Sequence, residues 1–201
     1  MKAILISIKP KYVAQILNKQ KTIVIRKSYP KCDLPIDVYI YCCYGETLSK
    51  GTRENILTPD GKIIINKPPK LNGSVVAKFT LNKVEPIVKS YHNYWGGLYY
   101  SQDLTEINLL DKAQISREEI GKYLENSKGY AWHIDNLEIF DKPKELSEFK
   151  HPKPSICGVK DNKGLYQCDK CKYGHSEFWH CECRLPLTKA PESWCYVEVL
   201  L

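Results

Sequence analysis

The sequence predicts a mixed α+β fold in one domain spanning residues 1–201. Strand-like apolar runs lie at both ends of the chain, and two segments in the middle place apolar residues at helical spacing. A chain of 201 residues with 43% hydrophobic residues can bury one sizeable core. No apolar run reaches the roughly 18 residues that span a membrane, and no secretory leader is recognisable, so the expected location is cytoplasmic.

The elements of the first part follow from local patterns. Residues 3–8 are an apolar run that stops before Pro10, which predicts a strand followed by a helix with proline in its first turn. The helix is expected over residues 12–17, where apolar side chains recur at helical spacing. Strands are expected over residues 22–25, which are β-branched, and over residues 36–43, where side-chain character alternates.

The middle of the chain contains further strands and two helices. The Asp60–Gly61 pair between two apolar runs predicts a hairpin, and residues 73–81 form a strand that we place at the centre of a sheet. Residues 104–110 and 116–124 have helical spacing. The second of these begins with a serine followed three residues later by a glutamate, which predicts a capping box.

The last third of the chain begins and ends with strand patterns. Residues 129–140 and residues 193–201 both favour strands. A terminal strand rich in Val, Leu and Tyr needs partners, so we expect residues 193–201 to pair inside the fold. Between these strands, residues 155–190 form a Cys-rich insert within the domain.

The net charge of +7 is concentrated near the N-terminus. Of the 30 basic residues, eight precede Asp33 without any acidic residue among them, whereas the rest of the chain is close to neutral. The eight are Lys2, Lys9, Lys11, Lys19, Lys21, Arg26, Lys27 and Lys31. Phosphates attract such a concentration of positive charge, so polyanion binding is its functional interpretation. The alternative is a solvated surface that keeps the protein soluble.

Three segments near the N-terminus form a recognisable pattern: Ser7-Ile8-Lys9-Pro10, Ile16-Leu17 and Lys21-Thr22-Ile23-Val24-Ile25-Arg26. They resemble the strand, the helix and the G-x-K-x-x-E-x-R-like segment with which ASCH domains begin. Residues 73–79, 130–134 and 191–197 resemble later strands of phage-associated members. The resemblance implies a PUA-like mixed β-barrel of about five or six strands flanked by helices, a class of RNA- and DNA-binding folds that includes readers of modified bases. It does not cover the Cys-rich insert.

The matches to the family are incomplete. Lys19 stands where the family has glycine, and Val24 stands where it has glutamate, whereas Lys21 and Arg26 are retained. The retained cations are therefore the part of the opening segment on which the functional prediction depends.

A hydrolase is the alternative that the resemblance raises. In members that resemble nucleoside amidohydrolases, a Thr beside a Lys is thought to act as nucleophile with a carboxylate from a later strand. Lys21 and Thr22 stand in the matching places, but Lys78 stands where the carboxylate is expected. Lys21 could activate Thr22 only if burial or neighbouring cations lowered its pKa toward neutrality. The resemblance therefore disfavours hydrolysis.

A binding site would use the retained cations directly. Lys9, Lys21 and Arg26 come from the end of a strand, the end of a helix and a second strand, so they could point into one cleft with Ser7. Arg offers a planar fork to a phosphate or to a base edge, and Lys offers a point charge. These four residues are the core of the predicted ligand-binding site.

Aromatic residues supply candidate stacking surfaces for bases. We place Tyr41, Trp132 and Trp194 near the mouth of the barrel, and we add His133 to the candidate site. The alternative for each aromatic residue is packing in the core, and the alternative for His133 is a satisfied core donor.

Four cysteines of the insert have a spacing typical of a zinc site. Cys168 and Cys171 form one pair, and Cys181 and Cys183 form a second, tighter pair after a loop. Four thiolates from two such pairs can surround one zinc ion tetrahedrally, so we predict a structural zinc site. One ligand could be replaced by His175, His180, Cys157 or Cys195. The alternative is reduced cysteines in a loop.

The number of cysteines favours a reducing compartment. Nine is an odd count and no export signal accompanies it, so disulfides are the weaker interpretation. The early cysteines Cys32, Cys42 and Cys43 are interpreted as small core residues.

These patterns favour a protein that binds RNA, DNA, a nucleotide or a modified nucleobase, with no membrane partner. The alternative within the same fold is a nucleoside amidohydrolase or a ribonuclease, which would act on an acylated cytidine or on RNA through Lys21 and Thr22. A third alternative is an accessory protein of a phage or mobile element that binds another protein through the Cys-rich insert. The sequence leaves open the choice between RNA and DNA, the preferred base and the oligomeric state.

Overall fold

The structure is a computed structural model that describes residues 2–44, 71–92, 96–101, 103–125, 127–150 and 186–199. These ranges contain ten strands in two sheets and three α-helices. The strands are β1 (Lys2–Ile8), β2 (Ile23–Arg26), β3 (Ile36–Cys42), β4 (Val75–Leu81), β5 (Val84–His92), β6 (Gly96–Tyr100), β7 (Gly129–His133), β8 (Asp135–Lys144), β9 (Phe149–Lys150) and β10 (Trp194–Val199). The helices are α1 (Pro10–Leu17), α2 (Glu106–Ala113) and α3 (Arg117–Leu124).

The larger sheet has β1 near its centre. Its strand order is β8-β4-β3-β1-β10-β9, with β1 parallel to β3 and antiparallel to β10. Residues 3–8 are all buried. A strand covered on both faces needs a continuous apolar run rather than an alternating one, which explains the composition of β1.

The smaller sheet carries two of the helices. Its strand order is β2-β7-β5-β6, and α2 and α3 contribute to a core cluster with β2. Buried members of that cluster are Ile23, Ile25, Leu109, Ala113, Ile120 and Leu124. The alternation of β2 explains this arrangement, because Ile23 and Ile25 point toward the helices while Val24 between them points the other way.

The two sheets are joined by a core that lies between them. Ile4, Ile6 and Ile8 of β1 belong to the same cluster as Val24 of β2 and Trp132 of β7. The alternate residues of β1 face a separate cluster that includes residues of β9 and β10. The N-terminal strand therefore contributes to the core on both of its faces.

Two tryptophans connect the sheets at one end. The rings of Trp132 and Trp194 meet edge to face, with centroids 5.5 Å apart. The indole N–H of Trp132 donates to the backbone carbonyl of Ser28 (3.2 Å), and the indole N–H of Trp194 donates to the Ser28 hydroxyl (3.0 Å). Both sheets and the segment after β2 are thus held together at Ser28.

Most of the predicted elements are confirmed, and the mixed α+β class is confirmed with them. The capping box of α3 forms as predicted, with Ser116 and Glu119 bonded reciprocally. The C-terminal strand β10 pairs on both sides, with β1 and with β9. The strand β4 lies between β3 and β8. Within the described residues, the strands form two sheets, and their pairings do not include closure into one barrel.

Three features differ from the sequence predictions or fall outside them. The single strand predicted over residues 129–140 is two strands, because the chain leaves the smaller sheet after His133 and enters the larger sheet at Asp135. The hairpin of β5 and β6 was not predicted. The Asp60–Gly61 hairpin and nearly all of the 155–190 insert lie outside the described residues. No helix in the described ranges is long and apolar enough to cross a membrane.

Candidate functional site

The retained cations of the N-terminal segment meet at one pocket. It has a volume of about 630 Å³ and is bounded by the end of β1, by α1, by β2 and by α3. Its walls include Ser7, Lys9, Lys21 and Arg26, the aromatic residues Tyr12, Tyr44 and Tyr123, and also Cys43 and Glu119. A volume of roughly 300–1,000 Å³ is typical of pockets for small molecules.

The backbone between β1 and β2 explains how the cations come together. Lys9 is the N-cap residue of α1, directly after β1 ends. After α1 the chain reverses tightly, and the backbone N–H groups of Gln20 and Lys21 both donate to the carbonyl of Gln15 (2.9 and 3.0 Å). This turn brings Lys21 back beside the helix before β2 begins, and Arg26 ends that strand.

Lys21 is the most deeply placed of these cations. Its side chain is 5% exposed, its Nζ donates to the carbonyl of Ala113 at the end of α2, and Nζ lies 5.0 Å from the centre of the Tyr12 ring. The pKa of Lys21 is lowered to about 7, mainly by burial; the charge of Arg26 contributes in the same direction, whereas Glu119 opposes the shift. Lys21 is therefore able to exchange a proton near neutral pH.

Arg26 supplies a fixed positive charge at the pocket. Its Nη1 donates to the carbonyl of Ile25 (3.0 Å) and its Nη2 donates to the carbonyl of Ser7 (2.8 Å). Its Nε is buried and has no hydrogen-bond partner among the described residues. Burial lowers the pKa of Arg26, but a guanidinium keeps its proton in proteins. A buried donor without an acceptor costs about 1–3 kcal/mol, so this N–H destabilises the fold locally.

The Ser7 hydroxyl and the Cys43 thiol of the pocket are not activated nucleophiles. The Ser7 hydroxyl donates to the carbonyl of Pro191 (2.6 Å), which fixes the segment that leads into β10. Burial raises the pKa of Cys43, and the hydrogen bond to Ser7 and the charges of Arg26 and Lys9 only partly offset this effect. Cys43 is therefore a neutral thiol at neutral pH.

One wall of the pocket is acidic. Glu119 of α3 lies 3.3 Å from Nζ of Lys11, and it accepts a hydrogen bond from the backbone N–H of Ser116 (2.9 Å). The hydrogen bond to Ser116 and the nearby Lys11 lower the pKa of Glu119. The pocket wall thus combines Lys9, Lys21 and Arg26 with a charged carboxylate from α3.

Tyr44 is held at the pocket by a glycine. Gly73 has a φ of +83°, and a Cβ at this position would lie 2.0 Å from the Tyr44 hydroxyl oxygen. Only a residue without a side chain allows Tyr44 to lie this close to the backbone. Tyr44 itself is 79% exposed, so most of its ring is open to solvent.

Comparison with known proteins gives matches among solved structures alone. No family model matches the chain, and no curated protein matches it. An ASCH protein of Zymomonas mobilis has a TM-score of 0.44 and 16% sequence identity, and the match covers 72% of this chain and 73% of that chain.

Two single-substitution variants of the same Zymomonas mobilis protein match in the same way. The first has a TM-score of 0.42 and 17% identity, covering 73% of this chain and 77% of that chain. The second has a TM-score of 0.42 and 17% identity, covering 72% and 74%. The structure is similar to that of ASCH proteins.

The residues that the ASCH resemblance assigned to a hydrolase are separated in the structure. Lys21 lines the pocket, whereas Thr22 is exposed and is not part of the pocket wall. The backbone N–H of Thr22 donates to the carbonyl of Lys112, and the backbone carbonyl of Thr22 accepts from the N–H of Ile134. Lys78 lies on the larger sheet, where it pairs with Asp37 and Glu138.

The predicted aromatic residues do not line the pocket. Trp132 is fully buried, Tyr41 is 6% exposed, and Trp194 is partly buried between Trp132 and Tyr196. All three residues are packed against other side chains, which is the alternative that the sequence left open. The aromatic wall is formed by Tyr12, Tyr44 and Tyr123, which sequence reasoning missed because they come from three separate segments. The position of Tyr12 three residues after Lys9 is the one local signal that could have identified it.

His133 belongs to a polar cluster in the smaller sheet. Its Nε2 pairs with the carboxylate of Glu85, which is 4% exposed. The Ser101 hydroxyl and the backbone N–H of Asp103 both donate to Glu85 Oε1 (3.3 Å each), and Lys83 lies 3.6 Å away. The buried carboxylate is therefore satisfied by its neighbours, and the cluster stabilises the pairing of β5 with β7.

The cysteines divide between described and undescribed parts of the chain. Cys42 is buried as predicted, whereas Cys32 and Cys43 are only partly buried. Cys168, Cys171, Cys181 and Cys183 lie outside the described residues. Among the residues that the structure describes, no group of three or more His, Cys, Asp or Glu side chains could hold a metal ion.

Proposed function

We propose that the pocket binds a nucleotide, either free or as one unit of a nucleic-acid strand, through its phosphate. The observation that supports this function is the convergence of Lys9, Lys21 and Arg26 on one concave site. Lys9 and Arg26 supply positive charge that matches a phosphate, and Lys21 can donate a hydrogen bond to a phosphate oxygen in either of its protonation states.

The size and lining of the pocket favour one nucleotide over a duplex. A volume of about 630 Å³ accommodates a small molecule and excludes a nucleic-acid helix. The exposed ring of Tyr44 and the half-exposed ring of Tyr123 offer faces on which a base could stack. A nucleotide of a single strand, or one turned out of a helix, would both fit the volume of the pocket and leave its base free to stack on a tyrosine ring.

Arg26 presents its positive charge to the ligand from a fixed position. Its two Nη groups are directed to the backbone carbonyls of Ile25 and Ser7, which holds the guanidinium in place before any ligand arrives. Preorganisation of this kind reduces the entropy lost on binding.

Titration calorimetry with a dinucleoside phosphodiester of RNA, and with its DNA counterpart, tests the proposal. Lys9→Met is expected to weaken binding about two- to twelvefold, because an exposed ion pair or charge-assisted contact contributes roughly 0.5–1.5 kcal/mol. Each lost phosphate contact should also reduce the salt slope of the affinity by roughly one unit.

Lys19→Met is the matched control, because Lys19 is exposed and does not line the pocket. It removes the same charge from the same N-terminal segment. Equal affinities of the Lys9→Met and Lys19→Met proteins would contradict the proposal, as would the absence of binding to either dinucleotide at millimolar concentration.

A further inference from the structure

Lys21 combines burial with an open route to a ligand. Its amine is almost fully enclosed by protein, yet it forms part of the wall of the pocket. We propose that Lys21 is a carbonyl-reactive amine, which forms a Schiff base with a small aldehyde carrying an anionic group held by Lys9 and Arg26. The anionic part of this inference rests on the proposed function, whereas the reactivity of the amine does not.

The contacts of Lys21 offset only part of the cost of burying a protonated amine. Its Nζ donates to one neutral acceptor, the carbonyl of Ala113, and the face of the Tyr12 ring lies 5.0 Å away. None of the ion pairs among the described residues includes Lys21. A lysine that is desolvated and lies beside another cation is the arrangement that makes an amine nucleophilic.

The charged groups around Lys21 come from three elements. Arg26 of β2 and Lys11 of α1 disfavour the ammonium, and Glu119 of α3 favours it. Burial is the largest influence, and together these effects lower the pKa of Lys21 to about 7. A large fraction of Lys21 is therefore neutral at pH 7, whereas an exposed lysine with a pKa of about 10.4 is almost wholly protonated.

The reaction is a balanced condensation. The lone pair of the neutral Nζ attacks the carbonyl carbon, and the carbonyl electrons move to the oxygen, which takes up a proton that the nitrogen releases. Loss of water from this carbinolamine gives the imine. Borohydride, added as the reductant, transfers a hydride to the imine carbon and fixes the adduct as a secondary amine.

Reductive labelling of the wild-type protein tests the inference. Pyridoxal 5′-phosphate carries an aldehyde and a phosphate, and pyridoxal carries the aldehyde alone. The protein is incubated with each at limiting concentration and pH 7, reduced with borohydride, digested and mapped by mass spectrometry. We expect Lys21 to be labelled at least tenfold faster than exposed Lys19 and Lys27, and several-fold faster by the phosphorylated aldehyde than by pyridoxal.

The outcomes separate this inference from the proposed function. Labelling that favours the exposed lysines over Lys21 would overturn the inference that Lys21 is a reactive amine, even if the pocket binds nucleotides. Equal rates with the two aldehydes would overturn the anionic requirement. Preferential labelling of Lys21 in a protein that binds no dinucleotide would support the reactive amine while the proposed function fails.

Two variants show that the label reports on the amine. Lys21→Arg keeps the positive charge but provides no amine that condenses with an aldehyde, so fast labelling should be lost. Lys27→Arg, which removes an exposed amine outside the pocket wall, should label like the wild type. Circular dichroism verifies that each variant folds. If Lys21→Arg does not fold, the peptide map of the wild-type protein still decides whether Lys21 is the preferred site of labelling.

Discussion

Lys21 shows how one residue links stability to function. A buried amine destabilises the fold while it is protonated, because transfer of a charge from water into the protein is costly. The carbonyl of Ala113 and the face of the Tyr12 ring provide only partial compensation. A residue retained in this position at such a cost is a candidate for a functional role.

The pH dependence of stability follows from the lowered pKa of Lys21. Because the folded-state pKa is about 7 and the unfolded value is near 10.5, the destabilisation is complete below pH 7 and decreases as pH rises toward 10.5. Lys21→Met removes this dependence. We expect the variant to gain stability over the wild type at pH 6.5, and the gain to shrink by up to roughly 1.4 kcal/mol per pH unit above pH 7.

Urea unfolding of both proteins at pH 6.5 and pH 9 measures this difference. Other titrating groups cancel, since they are shared by the variant and the wild type. Lys19→Met serves as the control and should change stability equally at both pH values. A Lys21→Met effect that is independent of pH would show that the amine keeps an ordinary pKa in the folded protein.

At the scale of the elements, the turn between α1 and β2 determines where Lys21 lies. Lys19 in this turn has a φ of +58°, in the left-handed region that favours glycine. This is the position at which the sequence resemblance places a glycine. The lysine therefore stores strain in the turn that brings Lys21 to the pocket.

Lys19→Gly should relieve that strain. We expect the free energy of unfolding to rise by about 0.5–1 kcal/mol, because the steric cost of the left-handed conformation exceeds the entropic cost of glycine. Asn18→Gly is the matched control, since Asn18 has a φ of −82° and gains nothing from glycine. Denaturant midpoints are measured for the wild type and the two variants. A midpoint of Lys19→Gly at or below that of the wild type would show that Lys19 is not strained.

Local elements could be predicted from the sequence, whereas long-range relations could not. The capping box of α3 depends on two residues three positions apart, and it forms as expected. The β5–β6 hairpin was missed because Pro86 lies within β5 and two glycines begin β6, and both residue types weaken a strand pattern. Continuous strand character over residues 129–140 also gives no sign that the chain changes sheets at Ile134.

The candidate site was predictable only in part for the same reason. Lys9, Lys21 and Arg26 lie within one short segment, so their convergence follows from a strand, a helix and a turn. Glu119 and Tyr123 reach the pocket from α3, about a hundred residues later, and only the packing of α3 beside α1 brings them there. Sequence spacing carries no information about such a contact.

At the scale of the whole molecule, the N-terminal positive charge is divided among several environments. Lys9, Lys21 and Arg26 line the pocket, whereas Lys11 pairs with Glu119. Lys27 lies over the ring of Tyr123 and Lys2 lies over that of Tyr196, at 5.5 and 4.5 Å from the ring centres. The positive charge is therefore divided between three cations at one concave site and others that are scattered over the surface.

The Cys-rich insert adds a second, independent prediction for the whole chain. Cys168, Cys171, Cys181 and Cys183 provide two close pairs of thiols, and four thiolates around zinc would leave two excess negative charges. The neighbouring Lys170, Lys172 and Arg184 can offset that charge. Because a closed site of this kind stabilises a polar segment that cannot fold by burial alone, we expect the metal to be retained through purification.

Elemental analysis of the purified full chain measures this site. We expect one zinc ion per chain, lost when Cys168 and Cys171 are both replaced by serine and retained in the control Cys32→Ser, whose thiol lies near Tyr196. Acid should release the zinc, because thiolates must be deprotonated to bind it. Zinc-free protein, or zinc that survives the double substitution, would show that these cysteines are not its ligands. Neither result would affect the pocket, whose walls lie in the described part of the chain.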